Sequence, residues 1–197
     1  GLTLRRFARR VPGTSWAPKA LALSSFLLGL TDDPPHAVFV KKNAKLPFWN
    51  FSTLPGVTCP GAGECLSWCY SWRSWRHAAP FFRQAQNTLL LRFAPGFVRA
   101  AIAALPDGAV VRLFVDGDFD SYQSVAVLME ALRARPDLRA YGYSKSWDIL
   151  AQYDALEGVP TNYALNLSAG GSGQKVSLGE MMGLPFVRGE FVGVQPD

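Results

Sequence analysis

The stretch Ala109-Val-Val-Arg-Leu-Phe-Val115, closed by Asp116-Gly-Asp-Phe-Asp120, decides the fold. An apolar run rich in β-branched side chains, cut off by an acidic turn that contains glycine, reads as a buried strand. The chain beyond it repeats the pattern. Ser121 to Ala134 carries Val125, Leu128, Met129 and Leu132 at helical spacing, Leu138-Arg-Ala-Tyr-Gly-Tyr143 is a second strand, and Trp147 to Leu156 is a second helix. Asn162-Tyr-Ala-Leu-Asn-Leu-Ser168 is the strand after that. Strands separated by full-length helices are parallel and joined by right-handed crossovers. The expected class is therefore α/β, as a partial (β/α) barrel or an open parallel sheet. In both, working residues gather at the carboxyl ends of strands. Those ends are Asp116 to Asp120, Ser144-Lys145-Ser146 and Ser168-Ala-Gly-Gly-Ser172, all polar or glycine-rich.

Upstream, residues 20 to 30 read as a helix with Leu21, Phe26, Leu27 and Leu30 on its apolar side, ended by Asp32-Asp33-Pro34-Pro35. His36 to Val40 alternates as a short strand, and Lys45 to Ser52 is extended and aromatic. Pro80 sits where a helix can open without losing a bonded N–H, and Pro95-Gly96 separates that helix from another over Phe97 to Leu105. The expected organisation is a basic arm and N-terminal helix over 1–35, then one α/β domain over 36–197.

The net charge of +5 is unevenly placed. Arg5, Arg6, Arg9, Arg10 and Lys19 precede any acid, and between residues 41 and 99 Glu64 is the lone carboxylate. Positive charge is thus concentrated on the first half of the chain, which suits a nucleic acid or another anionic partner met through the basic arm. Arg-Arg-Phe-Ala-Arg-Arg10 followed by the apolar run 20–30 has the look of an export signal. Pro12, Gly13 and Pro18 interrupt it, no small-residue cleavage site comes after it, and the run is too short to span a bilayer. The expected location is cytoplasmic, without membrane insertion.

The chain's three cysteines fall in Thr58-Cys59-Pro-Gly-Ala-Gly-Glu-Cys65-Leu-Ser-Trp-Cys69-Tyr70. An odd set this close together suits a metal or cluster better than a disulfide framework. If Glu64 to Trp75 is helical, Cys65 and Cys69 project from one face and the glycine loop brings Cys59 to them. Three thiolates fit a [4Fe-4S] cluster with one iron open to a substrate or a small ligand bound through oxygen or nitrogen. Zinc is the alternative, with His77 or His36 as fourth donor, and three ordinary buried thiols are the third reading.

Several runs together resemble the gene product 88 domain of actinobacterial phages, some plasmids and some bacteria. They are Asn43-Ala-Lys45-Leu46, Phe51 to Cys65 with Cys69-Tyr70, Val111 to Phe119, and Ala140 to Ser146. That resemblance covers roughly residues 40–175 and brings no activity with it. A more distant likeness is to radical S-adenosylmethionine enzymes, which also set three cysteines after an early strand of a partial barrel. This likeness implies S-adenosylmethionine or substrate on the open iron and a ligand pocket walled by Gly117, Asp118, Ser144, Lys145 and Ser168, with Asn166 at a later strand end. The cysteine spacing here departs from that superfamily's, so whether the chain is an enzyme stays open.

Three further groups carry chemistry. Asp116, Asp118 and Asp120 alternate, so on an extended backbone they share a face that can take a divalent ion or an amine; a solvated turn capping the next helix is the other reading. Trp68, Trp72 and Trp75 recur at helical spacing beside Arg73, Arg76 and Arg83, a pattern that stacks on bases and holds phosphates or simply packs a helix. Ser168 to Gly173 can turn backbone N–H groups toward an anion. With His36 and His77 the only histidines, a Ser/His/Asp triad has little to build on. The two function classes are thus a cluster protein with an open iron, and a metal-stapled module that binds nucleic acid or a host protein.

Overall fold

The computed structural model describes residues 16–41 and 47–193. The basic arm and the Asn43-to-Leu46 motif lie outside those residues. Strands β1 (Trp49–Asn50), β2 (Val110–Leu113), β3 (Arg139–Ser144), β4 (Tyr163–Ser168) and β5 (Val187–Phe191) lie in chain order, each parallel to the next. The sheet is open, with β1 and β5 at its edges. Among the described residues the α-helices are α1 (Trp16–Leu27), α2 (Ala78–Phe93), α3 (Pro95–Ala103), α4 (Tyr122–Arg133), α5 (Trp147–Glu157) and α6 (Leu178–Met182). The expectation of an α/β chain with an open parallel sheet holds, and a closed or radical-SAM-like barrel does not appear.

Sequential order with parallel neighbours has a topological consequence. When every crossover has the same hand, all connecting helices fall on one face of the sheet. Burial alternates accordingly. Val111 and Leu113 of β2, Ala140, Gly142 and Ser144 of β3, and Tyr163, Leu165 and Leu167 of β4 are buried. All of these but Gly142 and Ser144 pack with Leu90, Leu91, Val98, Ile102, Val125, Leu128, Met129, Leu132 and Leu150 of the helices into one core. Burying a side chain of this size contributes about 1.5–3 kcal/mol.

Helix α4 begins where its sequence directs. The Ser121 hydroxyl accepts from Ser124 N–H at 3.2 Å while the Ser124 hydroxyl accepts from Ser121 N–H at 3.1 Å, a reciprocal cap. Segment 36–58 departs from the expected strand at His36 to Val40. His36 to Val40 makes one antiparallel bridge, Val40 to Asn50, and α2 adds side-chain partners to it and to the chain after β1, which itself pairs with β2. Gln86 brackets His36, accepting from its N–H and donating to its carbonyl. Asn87 donates to the Val38 and Ser52 carbonyls, and Thr88 accepts from Leu54 N–H. Buried amide side chains here do what a ladder of strand bonds would otherwise do.

Helix α1 turns a different side inward from the one its leucines suggest. Trp16 and Leu23 are buried, while Leu21, Leu27 and Leu30 are exposed. Trp16 lies against Phe81 and Phe82 of α2 with ring centroids 5.3 and 5.4 Å apart, and Phe26 meets Phe97 at 5.4 Å. Beyond the third crossover, α6 and the edge strand β5 extend the sheet, and the sequence reading assigned neither.

Candidate functional site

The carboxyl edge of the sheet is built around Asp118. Strand β2 stops at Leu113 because Phe114 adopts a left-handed backbone, φ 54°, which sends its ring into the core against Phe51 and Phe119. The chain then loops back through Gly117, also left-handed at φ 82°. A side chain at 117 would run into the hydroxyls of Thr53 and Thr58, themselves bonded at 2.8 Å, so glycine is required there on two grounds.

The loop delivers Asp118 into the interior. Its carboxylate accepts from Ser144 Oγ at 2.6 Å, Phe119 N–H at 2.8 Å and Lys145 N–H at 2.8 Å. Burial pushes the carboxyl up to about 6 even though those bonds, with a contribution from Ser146, pull the other way. The Lys145 ammonium donates to the Ala169 carbonyl. The structure thus brings Gly117, Asp118, Ser144 and Lys145 together, with their polar groups bonded to one another and to backbone. Ser168 stands apart at the end of β4.

The three alternating acids do not share a face, because the chain between them is a loop and not an extended strand. Asp116 accepts from Ser71 Oγ and from Gln84 Nε2. Asp118 takes the partners just described. Asp120 pairs with Arg92 at 2.6 Å.

The cysteine loop lies over this edge. A side chain at Gly61 would overlap the Lys145 carbonyl, and the Ser168–Gly173 turn closes on the same loop: Ser172 N–H and hydroxyl donate to the Gly61 and Ala62 carbonyls. The turn expected to present N–H groups to an anion is used instead to hold the loop. Cys59 accepts weakly from Gly56 N–H at 3.4 Å, and burial, reinforced by Asp118, Cys69 and Cys65, pushes its thiol up to about 12.

The expected helix from Glu64 to Trp75 is absent. Its place is taken by two 3-10 segments, Glu64–Leu66 and Tyr70–Arg76, parted at Cys69, whose φ of −52° and ψ of 119° are extended. The i, i+4 geometry that would have aimed Cys65 and Cys69 from one face is therefore lost. Among the described residues no group of three or more His, Cys, Asp or Glu side chains is placed to hold a metal ion. The expectation of an iron-sulfur cluster with an open iron, and of zinc as its substitute, is corrected on that ground. Cys59, Cys65 and Cys69 are free, half-buried thiols.

The second 3-10 segment carries the tryptophans. At three residues per turn, positions 72 and 75 eclipse, and their rings meet edge to face at 4.6 Å. Trp75 continues to Phe81 at 5.4 Å, and Phe81 to Phe82 and Trp16 at 5.2 and 5.3 Å. Both indole N–H groups are used internally, Trp72 to the Leu66 carbonyl and Trp75 to Gln84. Arg73 and Arg76 are exposed beside this chain of rings. Arg83 is half-buried with an unpartnered Nε, and desolvation lowers its pKa. His36 is lowered too, first by burial and then by Lys19 and Arg83.

The sequence reading missed the face of the sheet that the core leaves behind. Alternation sends Asn50, Arg112, Arg139, Tyr141, Tyr143, Asn166 and Phe191 to that side. Arg112 lies over the Tyr143 ring at 5.1 Å, and Tyr143 contacts Tyr141 and Phe191. An arginine inside an apolar strand was the available signal.

A family model described as gene product 88 matches residues 29–183. No curated protein matches, and no solved structure matches, so the likeness to radical S-adenosylmethionine enzymes finds no support.

Proposed function

The chain belongs to the gene product 88 family, and from that footing we propose that it is a binding module for single-stranded nucleic acid. The observation that carries this reading is a set of cations without ion pairs along a chain of rings; the carboxylate that reaches this segment, Asp116, is bonded to Ser71 and Gln84. Lys19, Arg73, Arg76 and Arg83 lie on the same segments as Trp16, Trp72, Trp75, Phe81 and Phe82, and among the described residues none of the four cations makes an ion pair. His36, lowered first by burial, is lowered further by Lys19 and Arg83. Backbone phosphates neutralise such a cluster and release counterions, and flat rings receive bases whatever their sequence. Because Trp72 is held by its own N–H bond to the Leu66 carbonyl, stacking a base on it costs little further side-chain ordering. The arginines of residues 5–10 add to the positive charge of the chain.

The Asp118 network and the Ser168–Gly173 turn fit this module as scaffolding: they fix the loop that leads into Tyr70–Arg76. Binding of a labelled single-stranded 12-mer, followed by fluorescence anisotropy across a sodium chloride series, tests the reading. Each phosphate contact on a single strand contributes about −0.7 to the slope of log K against log salt. The combined change R73A and R76A should lower that slope by about 1.4. Binding that is absent at low salt, or indifferent to salt, overturns the proposal.

A further inference from the structure

We infer that the helix-free face of the sheet is a seat for one unpaired nucleobase, read through its keto and imino edge; this rests on the single-strand reading above. The seat is centred on two cross-strand neighbours. Asn50 of β1 pairs in register with Arg112 of β2, which pairs with Tyr141 of β3, so all three side chains leave the sheet on the same side. Asn50 is only 9% exposed, and its Oδ1 is buried without a hydrogen-bond partner. The Arg112 Nε is likewise buried and unpartnered. A donor and an acceptor left unmet side by side cost about 1–3 kcal/mol each, which a native chain tolerates where something else completes them.

The complement is defined by chemistry. A ligand must offer an acceptor to the guanidinium and a donor to the amide oxygen, and it must be flat, because Tyr141 and Tyr143 flank the pair and Tyr143 already stacks on Arg112. The C=O beside N–H of thymine, uracil or guanine has that pattern. Adenine and cytosine present an amino group where the carbonyl would be. The charged residues that alternation puts on this side are Arg112, Arg139 and Arg188, all cationic, while Glu190 pairs with Leu167 and so points to the opposite side. The face is therefore suited to a base on an anionic strand. It also adjoins the proposed phosphate surface: Tyr70, first residue of the tryptophan-bearing segment, bonds to the Val115 carbonyl just past β2, and its phenol is raised first by burial and then by Asp116, with Arg112 acting the other way.

The test uses the full chain and four labelled 12-mers: oligo-dT, oligo-dC, oligo-dA and an abasic strand of equal length. Oligo-dT should bind about tenfold more tightly than the other three, and Arg112→Met should bring it down to the oligo-dC level. Salt-dependent binding of equal strength to all four strands overturns the seat while leaving the single-strand module standing. Absence of binding to any strand overturns the module, and the seat is then read by itself. Thymidine, titrated against deoxycytidine, should shift the ring proton resonances of Tyr141 and Tyr143, and no shift, or equal shifts with both nucleosides, overturns it.

Discussion

Asp118→Asn separates the charge of the buried carboxylate from its shape. In the folded chain the carboxyl is pushed from an ordinary 3.8 to about 6, with burial as the main cause. The folded protein therefore binds more protons than the unfolded chain between about pH 4 and pH 6. The stabilisation linked to this group is fully present below that window and lost as the pH rises through it. Lowering the pH from about 7 to about 4.5 should add about 2 kcal/mol to the wild-type stability from Asp118 alone. The amide cannot ionise and gains nothing. It also turns an N–H toward the Lys145 N–H that the carboxylate had accepted, which costs roughly 1–3 kcal/mol at neutral pH. Urea unfolding of both proteins at the two pH values measures this. Carboxyls held low in the folded state, Asp137 beside Arg135 and Glu180 beside Ser177, act in the opposite direction, but they do so equally in both proteins and cancel in the difference. The stability gap between wild type and D118N should widen by about 2 kcal/mol on acidification. A gap that stays constant or narrows refutes the argument that burial outweighs the four hydrogen bonds.

Three other outcomes are expected from packing and ionisation. Gly117→Ala combines a left-handed backbone with overlap on the Thr53 and Thr58 hydroxyls, and should cost about 3 kcal/mol in chemical unfolding; Gly158→Ala, left-handed at φ 69° but in open space, should cost only about 1 kcal/mol. Cys59, with its thiol raised to about 12, should react with iodoacetamide at about pH 8 at least 30-fold more slowly in the folded chain than in urea, read by mass spectrometry of its peptide. Trp16→Ala empties the seat of α1 against Phe81 and Phe82 and should lower stability by about 3 kcal/mol, visible as a fall in Tm; an unchanged Tm would mean that α1 adds nothing to the fold.

The crossovers were legible because α4 and α5 are long enough for their periodicity to show and because the Ser121 cap marks one start. β5 was not, since Val187-Arg-Gly-Glu-Phe191 is an edge strand with an irregular register against β4 and only one buried residue. The cysteine site failed for a geometric reason. A four-residue step keeps side chains together on an α-helix but sets them about 120° apart at three residues per turn, and Cys69 interrupts even that winding. The 3-10 winding of Tyr70–Arg76 eclipses Trp72 and Trp75 and brings their rings into contact.

Arg112 shows the remaining limit. Alternation in β2 places it opposite Val111 and Leu113, but alternation alone does not say whether the second face of a strand is covered or open. That depends on the strict β1-to-β5 order, which puts every crossover on one side and leaves Arg112, Asn50 and Tyr141 aligned across three strands on the other. A guanidinium Nε without a hydrogen-bond partner beside an amide Oδ1 without one is therefore a property of the topology more than of any local motif, and it is the feature of the fold least explained by stability alone.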